Sequence, residues 1–216
     1  MPLTPYTEPK VLDAWLGSTA PTVPATTYLG LVLECGELST ALVAGTAYTS
    51  IACATKTVAY AIASGDIILI GAGSTSQTLE ASAAASVAAT SVSVDSFIAN
   101  AAYAVGTPFI RCTVYATAQE PSGGSYARVS VTNNTTNWPN STANGSGPGY
   151  IKQNGTAITF PAATAGWGTV AGFLIGDNAT PGSGNLLAFG VLNASQAISS
   201  GNTPTFAADS LSVTLV

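Results

Sequence analysis

Alternating apolar and polar positions predict short β-strands along most of this chain. In residues 26–34, Leu29, Leu31 and Leu33 fall on one face of an extended segment, as every second side chain of a strand does. Further strands are predicted at residues 157–160, 169–175, 187–192 and 211–216. Turn residues separate these segments and no helical pattern lies between them, so the spacing predicts an antiparallel β-sandwich. Alternation assigns the following side chains to the core: Leu29, Leu31, Leu33, Ile158, Phe160, Trp167, Phe173, Ile175, Leu187, Phe189, Leu211, Val213 and Leu215.

One helical pattern lies near the N-terminus. Apolar side chains recur on one face at Val11, Leu12, Trp15 and Leu16. Thr7 is placed to cap this helix and Gly17 to end it. So short a helix does not stand alone in water, and it must dock on its own sheet or on a neighbouring subunit. We predict Leu12, Trp15 and Leu16 as subunit-interface residues.

Residues 36–111 have a different sequence pattern from the rest of the chain and contain a degenerate two-fold repeat. Residues 49–53 resemble residues 90–94, and residues 59–62 resemble residues 102–105, at an offset of about 42 residues. Two such units are too few for a solenoid, which needs at least three. They predict a small β-barrel or sandwich formed by pairing of the two units.

These patterns together predict two domains. Residues 1–35 and 112–216 form a discontinuous β-sandwich base with a short N-terminal helix. Residues 36–111 form a small β-module inserted into that base. We therefore predict an all-β protein whose two parts are joined at one neck.

The amino-acid composition limits the classes of partner that this protein is expected to bind. Only 7% of the residues are charged and 47% are hydrophobic, whereas an ordinary soluble domain has about 25% charged residues. Either the protein has a Ser/Thr surface, or much of its surface is buried against other copies or a scaffold. The net charge of −5 with five basic residues provides no phosphate-binding patch, so nucleic acid is not expected as a partner. No apolar run is long enough to cross a membrane, and the N-terminus lacks the pattern of a signal peptide.

Chemistry-bearing motifs are absent from the sequence. The chain has no histidine, which removes Ser-His-Asp and Cys-His mechanisms and histidine metal sites. The ten carboxylates are scattered, and the glycine-rich runs lack the Lys-Ser/Thr of a phosphate loop. We therefore predict a non-enzymatic protein with no catalytic residue, no cofactor and no metal.

Three residues have two open interpretations. Cys35 and Cys112 flank the predicted module, where they form either a disulfide at the neck or two neighbouring buried thiols. Arg128 either pairs with Glu120 or Asp177 inside the protein or contacts a partner subunit. We include Arg128 among the predicted interface residues.

A polar segment over residues 132–149 is long for a loop of a compact domain and predicts an interaction loop. Trp138 and Tyr150 lie in or beside it. Such aromatic side chains belong either to the core or, if exposed, to a surface for carbohydrate or subunit contacts.

Several motifs resemble a family of tailed-phage minor virion proteins, usually described as tail fibre-like or minor structural proteins. The motifs lie at residues 6–13, 24–31, 120–129, 157–170, 184–190 and 201–208. The segment Ala157-Ile158-Thr159-Phe160-Pro161-Ala162-Ala163-Thr164-Ala165-Gly166-Trp167-Gly168-Thr169-Val170 is the most distinctive of them. Members of this family pass quickly from the first strand to the segment at residues 120–129, whereas residues 36–111 intervene here. The inserted residues are similar to small β-modules of other phage structural proteins.

The resemblance implies a virion component that is assembled in the cytoplasm of the host bacterium. Our first hypothesis is a capsid decoration or cement protein that binds the phage particle and projects the β-module outward. It would be a homo-oligomer, such as a trimer, with major capsid or tail proteins as partners. The alternative is a tail fibre or baseplate adhesin in which the module, or residues 132–149, binds a host-surface glycan.

Overall fold

The computed structural model describes residues 6–17, 23–113, 118–145 and 149–215. Strands make up 43% of the chain and helix 5%. All-β architecture with one short N-terminal helix is confirmed, and the sheets are antiparallel without a closed barrel in these ranges. No helix in the described part of the chain has the length and apolarity to span a bilayer.

The described residues form one α-helix followed by a series of β-strands. One short 3-10 helix, Gly73–Thr75, lies between the fourth and the fifth strand. The helix α1 covers Thr7–Leu16. The strands are β1 (Thr26–Leu33), β2 (Gly36–Glu37), β3 (Ala47–Ala52), β4 (Ile67–Ile70), β5 (Gln77–Glu80), β6 (Ser91–Ile98), β7 (Pro108–Cys112), β8 (Val129–Thr132), β9 (Thr142–Ala143), β10 (Tyr150–Gln153), β11 (Ile158–Thr159), β12 (Gly168–Gly176), β13 (Leu186–Ile198), β14 (Thr205–Phe206) and β15 (Ser212–Leu215).

Three sheets form the base. The central sheet has the order β13-β12-β1-β8, and a small sheet has the order β15-β10-β9. The pair β11-β14 completes this part. The base core is the apolar cluster on one face of the central sheet, where Leu29, Leu31 and Phe173 meet Ile158 and Phe160. Strand alternation places these side chains together, because residues two apart in a strand point to the same face.

The predicted module contains the sheet β2-β7-β4-β5 and the pair β3-β6. Its pairing has an internal two-fold pattern. Ile51 pairs with Val92 and Leu69 pairs with Ile110, so each pair joins positions 41 residues apart. The isolated bridge between Ile62 and Ala85 corresponds to the one between Leu42 and Tyr103.

Tight turns precede β3, β4, β6 and β7 at corresponding places of this pattern. Each has a residue with positive φ: Gly45, Gly65, Ala88 and Gly106. Ile62 is therefore the counterpart of Tyr103, and the sequence alignment that matched Tyr60 with Tyr103 is wrong by two residues. The repeat unit is a turn followed by a strand.

A second apolar cluster, the middle layer, joins the module to the base. Leu69, Ile110 and Cys112 of β4 and β7 pack there against Val32 and Leu174 of the central sheet, with Phe189 and Val191 alongside. The neighbours Ile68, Ile70 and Phe109 point the other way into the module core. On this face the predicted module therefore packs against the base, and its projection outward from the particle stays a prediction. The domain boundaries themselves stay a prediction.

Most of the side chains that were predicted to form the core of the base are buried. All the listed core side chains of the base are buried except Leu187 and Val213, which are partly buried, and Leu215, whose side chain lies outside the described residues. Strands β1 and β12 begin and end within two residues of their predicted bounds. The short strands β2, β9, β10 and β14 were not predicted. The predicted return of the chain to the base near Val114 lies outside the described residues.

The helix begins one residue before its predicted start and ends before Gly17 as predicted. Thr7 is the first helical residue, and its Oγ1 donates a hydrogen bond to the Leu187 carbonyl oxygen at 3.2 Å. Tyr6 precedes it without a side-chain capping bond, so the prediction of a Thr7 cap is wrong. Gly17 is extended, and its N–H donates to the Asp13 carbonyl oxygen at 3.0 Å.

Candidate functional site

A groove of about 510 Å³ opens beside the start of α1. We call it the mouth groove. Its lining residues come from α1, the central sheet, the small sheet and the loop after β8. They are Thr7, Val23, Thr27, Asn133, Asn134, Thr135, Trp138, Asn140, Lys152, Ile175, Leu187, Ala188 and Val213. Most of the exposed wall is apolar, as in sites that bind an apolar partner with a few orienting polar groups.

Polar side chains of the mouth groove are largely engaged within the chain. Asn133 accepts a hydrogen bond from Thr27 Oγ1 at 3.2 Å and donates to the Pro24 carbonyl oxygen at 2.6 Å. Asn134 Oδ1 accepts the N–H groups of Thr136 and Asn137 at 3.0 and 2.8 Å. These amides shape the loop after β8, so they offer little for hydrogen bonding to a ligand.

Trp138 and Lys152 contribute to the groove in different ways. The Trp138 indole nitrogen is buried without a hydrogen-bond partner in the described ranges, so the indole presents apolar surface. Lys152 Nζ donates to the Pro139 carbonyl oxygen at 3.0 Å. Among the described residues, Lys152 is the one charged side chain that lines the groove. The groove can thus bind an apolar surface that carries a negative charge at its border.

The predicted interface on α1 is open in this structure. Leu12 is 59% exposed and Leu16 is 85% exposed. The Trp15 side chain lies outside the described residues. A subunit contact at Leu12, Trp15 and Leu16 stays a prediction.

Arg128 lies inside the protein rather than at an interface. Its Nε and Nη2 donate to both oxygens of Glu120 at 2.9 and 2.6 Å. Its Nη1 donates to the carbonyl oxygens of Asn178 and Ser183 at 2.7 and 3.1 Å. The side chains of Arg128 and Glu120 are only 2% and 4% exposed. The structure therefore removes Arg128 from the predicted interface residues and selects Glu120 as its partner.

Glu120 and Tyr126 extend this ion pair into a network. Glu120 accepts hydrogen bonds from Tyr126 Oη at 2.8 Å and from the Gly182 N–H at 3.0 Å. Tyr126 Oη also accepts the Leu31 N–H of β1 at 2.9 Å. Burial and the adjacent Glu120 carboxylate raise the pKa of Tyr126 far above its usual value. The network ties the segment before β8 to the central sheet and to the loop between β12 and β13.

A second cluster of charges lies where the base meets the module, and the sequence did not reveal it. Glu34 is buried and forms an ion pair with Lys56, which also donates to Glu37 Oε1 at 2.9 Å. Burial raises the pKa of the Glu34 carboxyl, although its hydrogen bond with Lys56 acts in the opposite direction. Burial alone would lower the pKa of Lys56, but the two carboxylates outweigh it and raise that pKa. The cluster joins the end of β1 to the predicted module.

All three cysteines are buried free thiols. Cys35 and Cys53 belong to the module core, and Cys112 belongs to the middle layer. In this structure, then, Cys35 and Cys112 form no disulfide at the neck. Burial raises the pKa of Cys35 to about 11 and that of Cys112 to about 12. A thiol is a nucleophile only as the thiolate, so burial disfavours the reaction of these cysteines in the folded protein.

Thiol titration checks this state. In denaturant without reductant we expect Ellman's reagent to detect three thiols per chain, the number in the sequence. In native protein at pH 8 we expect the reaction to be slower by orders of magnitude, since burial opposes thiolate formation. Cys53→Ser should lower the denatured count by one. A count of one in the unreduced wild-type protein would mean that a disulfide forms.

No group of three or more His, Cys, Asp or Glu side chains in the described part of the chain is arranged to hold a metal ion. The fold defines a class, that of all-β proteins built from several small antiparallel sheets. Within this fold, the groove and the helix face with Leu12 and Leu16 are exposed apolar surfaces.

A sequence model of the family described as Podophage GP4 fiber I protein gp80 matches residues 101–214, just over half of the 216-residue chain. The protein belongs to this family. It is a structural protein of a phage virion, and the resemblance to tail fibre-like proteins is confirmed at that level. No curated protein matches the chain.

The family match covers β7 as well as β8 to β14 and most of β15. Strand β7 pairs with β4 in the predicted module and packs on the base through the middle layer. The match thus begins before the predicted neck at residue 112. That residues 36–111 are an insertion stays a prediction.

Proposed function

We propose that this protein is a non-enzymatic subunit of a phage fibre, assembled with copies of itself and with tail proteins in the cytoplasm of the host bacterium. The observation that carries this proposal is the match of residues 101–214 to a family described as a fibre protein. This match supports the fibre hypothesis, which we prefer to capsid decoration.

Charged side chains support a structural role. The buried carboxylates of Glu34, Asp66 and Glu120 each form an ion pair with Lys56, Arg111 and Arg128, respectively. Asp66 and Arg111 are 45 residues apart in the sequence, whereas Glu120 and Arg128 are 8 apart. All three carboxylates are engaged within the protein. The exposed apolar side chains of α1 support assembly with other subunits, and a symmetric trimer is the form that we favour.

Location in the particle tests the proposal. Gold-labelled antibodies against the purified protein should bind the tail fibres of intact virions, and cryo-microscopy should place the fold there. A virion that lacks the protein should keep its capsid stability and lose fibre density. Label on the capsid faces, with density for this fold between capsid subunits, would overturn the fibre assignment in favour of capsid decoration.

A further inference from the structure

Two apolar surfaces lie open near each other. The first is the face of α1 that carries Leu12 and Leu16, and the second is the mouth groove. Leu12 and Leu16 are four residues apart, so they share one side of the helix. We propose that α1 of one copy packs this face into the mouth groove of a second copy. This inference rests on the proposed function, because fibre subunits assemble with copies of themselves.

Leu12 and Leu16 do not line the groove of their own chain. Of the helix side chains that the structure describes, only Thr7 lines the groove, and its Oγ1 donates a hydrogen bond to the Leu187 carbonyl oxygen. Farther along, the exposed fraction rises from 59% at Leu12 to 85% at Leu16. These two leucines thus leave the groove uncovered. A helix of ten residues needs tertiary packing to be stable in water, and a second copy offers an apolar surface of matching chemistry.

Groove chemistry favours such an occupant over a glycan. A glycan needs many hydrogen-bond partners, whereas most of the exposed groove wall is apolar and Asn133 and Asn134 are engaged in the loop. An apolar helix face gains free energy by leaving water and requires few polar partners. Val23, 69% exposed at the border of the groove, adds to the apolar surface that a helix would cover.

Charge complementarity points to the same occupant. Lys152 is the charged residue of the groove, and it forms no ion pair with the described residues. Asp13 lies on α1 between Leu12 and Leu16, is exposed, and likewise has no ion pair in the described part of the chain. A second copy would bring an acidic group to the basic border of the groove, so apolar and charged features match in one contact.

Photo-crosslinking in a mixture of ¹⁴N- and ¹⁵N-labelled protein identifies which segment occupies the mouth groove. A benzophenone side chain replaces Leu16, and equal amounts of ¹⁴N and ¹⁵N protein are mixed, dissociated in mild denaturant, reassociated and irradiated. We expect mass spectrometry to find mixed-isotope peptide pairs that join position 16 to residues 133–140 or 187–188. A complete absence of mixed-isotope pairs, with single-isotope pairs only, would mean that the helix binds its own groove and would overturn the proposal. Crosslinks that avoid the groove would overturn it as well.

Substitutions give an independent measurement with a matched control. We expect Leu12→Ser combined with Leu16→Ser to weaken self-association by about tenfold or more in sedimentation equilibrium, since two exposed apolar side chains leave the contact. The control combines Val43→Ser with Val105→Ser, which removes exposed apolar side chains of the module. It should change the self-association constant less than about twofold. Equal effects of the two pairs, or a wild-type protein that stays monomeric, would contradict the proposal.

These outcomes are separate from a failure of the proposed function. Crosslinking and sedimentation use the purified full chain, whereas antibody labelling locates the protein in the virion. A fibre protein without groove crosslinks would refute the helix contact alone. Groove crosslinks in a protein found on the capsid would refute the fibre role and leave the helix contact standing.

Discussion

Replacing Arg128 with Ala is expected to lower the free energy of unfolding by about 3–5 kcal/mol, the usual cost of removing one partner of a buried ion pair. Arg128 and Glu120 are 2% and 4% exposed at their side chains. Without the guanidinium, the Glu120 carboxylate stays buried with a negative charge and only neutral donors. The carbonyl oxygens of Asn178 and Ser183 also lose their donor. Urea unfolding monitored by tryptophan fluorescence measures the change.

Two further variants make this result specific. Arg128→Lys keeps the charge but cannot bind both carboxylate oxygens and two carbonyl groups in one planar geometry, so we expect an intermediate loss. Asp95→Ala removes an exposed charge that has no ion pair in the described residues and should change stability by no more than about 0.5 kcal/mol. A loss for Arg128→Ala as small as that of Asp95→Ala would contradict the buried network.

Ile110→Ala should destabilise the protein by about 2–5 kcal/mol, the range for truncating a large aliphatic side chain in a core. Ile110 is fully buried in the middle layer, between β7 and the central sheet. Its loss leaves a cavity between module and base, because strands on both sides restrict collapse. Chemical denaturation with circular dichroism detection measures the loss.

The same truncation at an exposed position serves as its control. Ile98 is 63% exposed, so Ile98→Ala should cost no more than about 0.5 kcal/mol. If the module stood free of the base, Ile110 would be exposed as well, and the two variants would behave alike. Equal stabilities would therefore rule out the middle layer as a buried interface.

Short strands mark the limit of what alternation predicts. β1 was predicted nearly to the residue because several consecutive positions obey the period of two. β2 and β14 have two residues each, too few to display a period. They exist because a distant partner offers backbone hydrogen bonds, Phe109 for Gly36 and Ile158 for Phe206.

The candidate site was only partly accessible to sequence reasoning. The apolar face of α1 follows from the spacing of Leu12 and Leu16, which a local period reveals. The mouth groove does not, because its walls come from segments that are more than one hundred residues apart, such as Thr27 and Leu187. Glu34 gave no signal either, since its burial depends on Lys56 of the predicted module.

By itself, the sequence determined the all-β class, the helix at the N-terminus, most of the base core and the likeness to phage fibre proteins. These features depend on local periods and on motifs that are contiguous in the chain. Only the tertiary structure decided that Arg128 turns inward to Glu120 and that Leu69 and Ile110 fasten the module to the base. Alternation tells which side chains share a face of a strand, but what covers that face depends on contacts between distant segments.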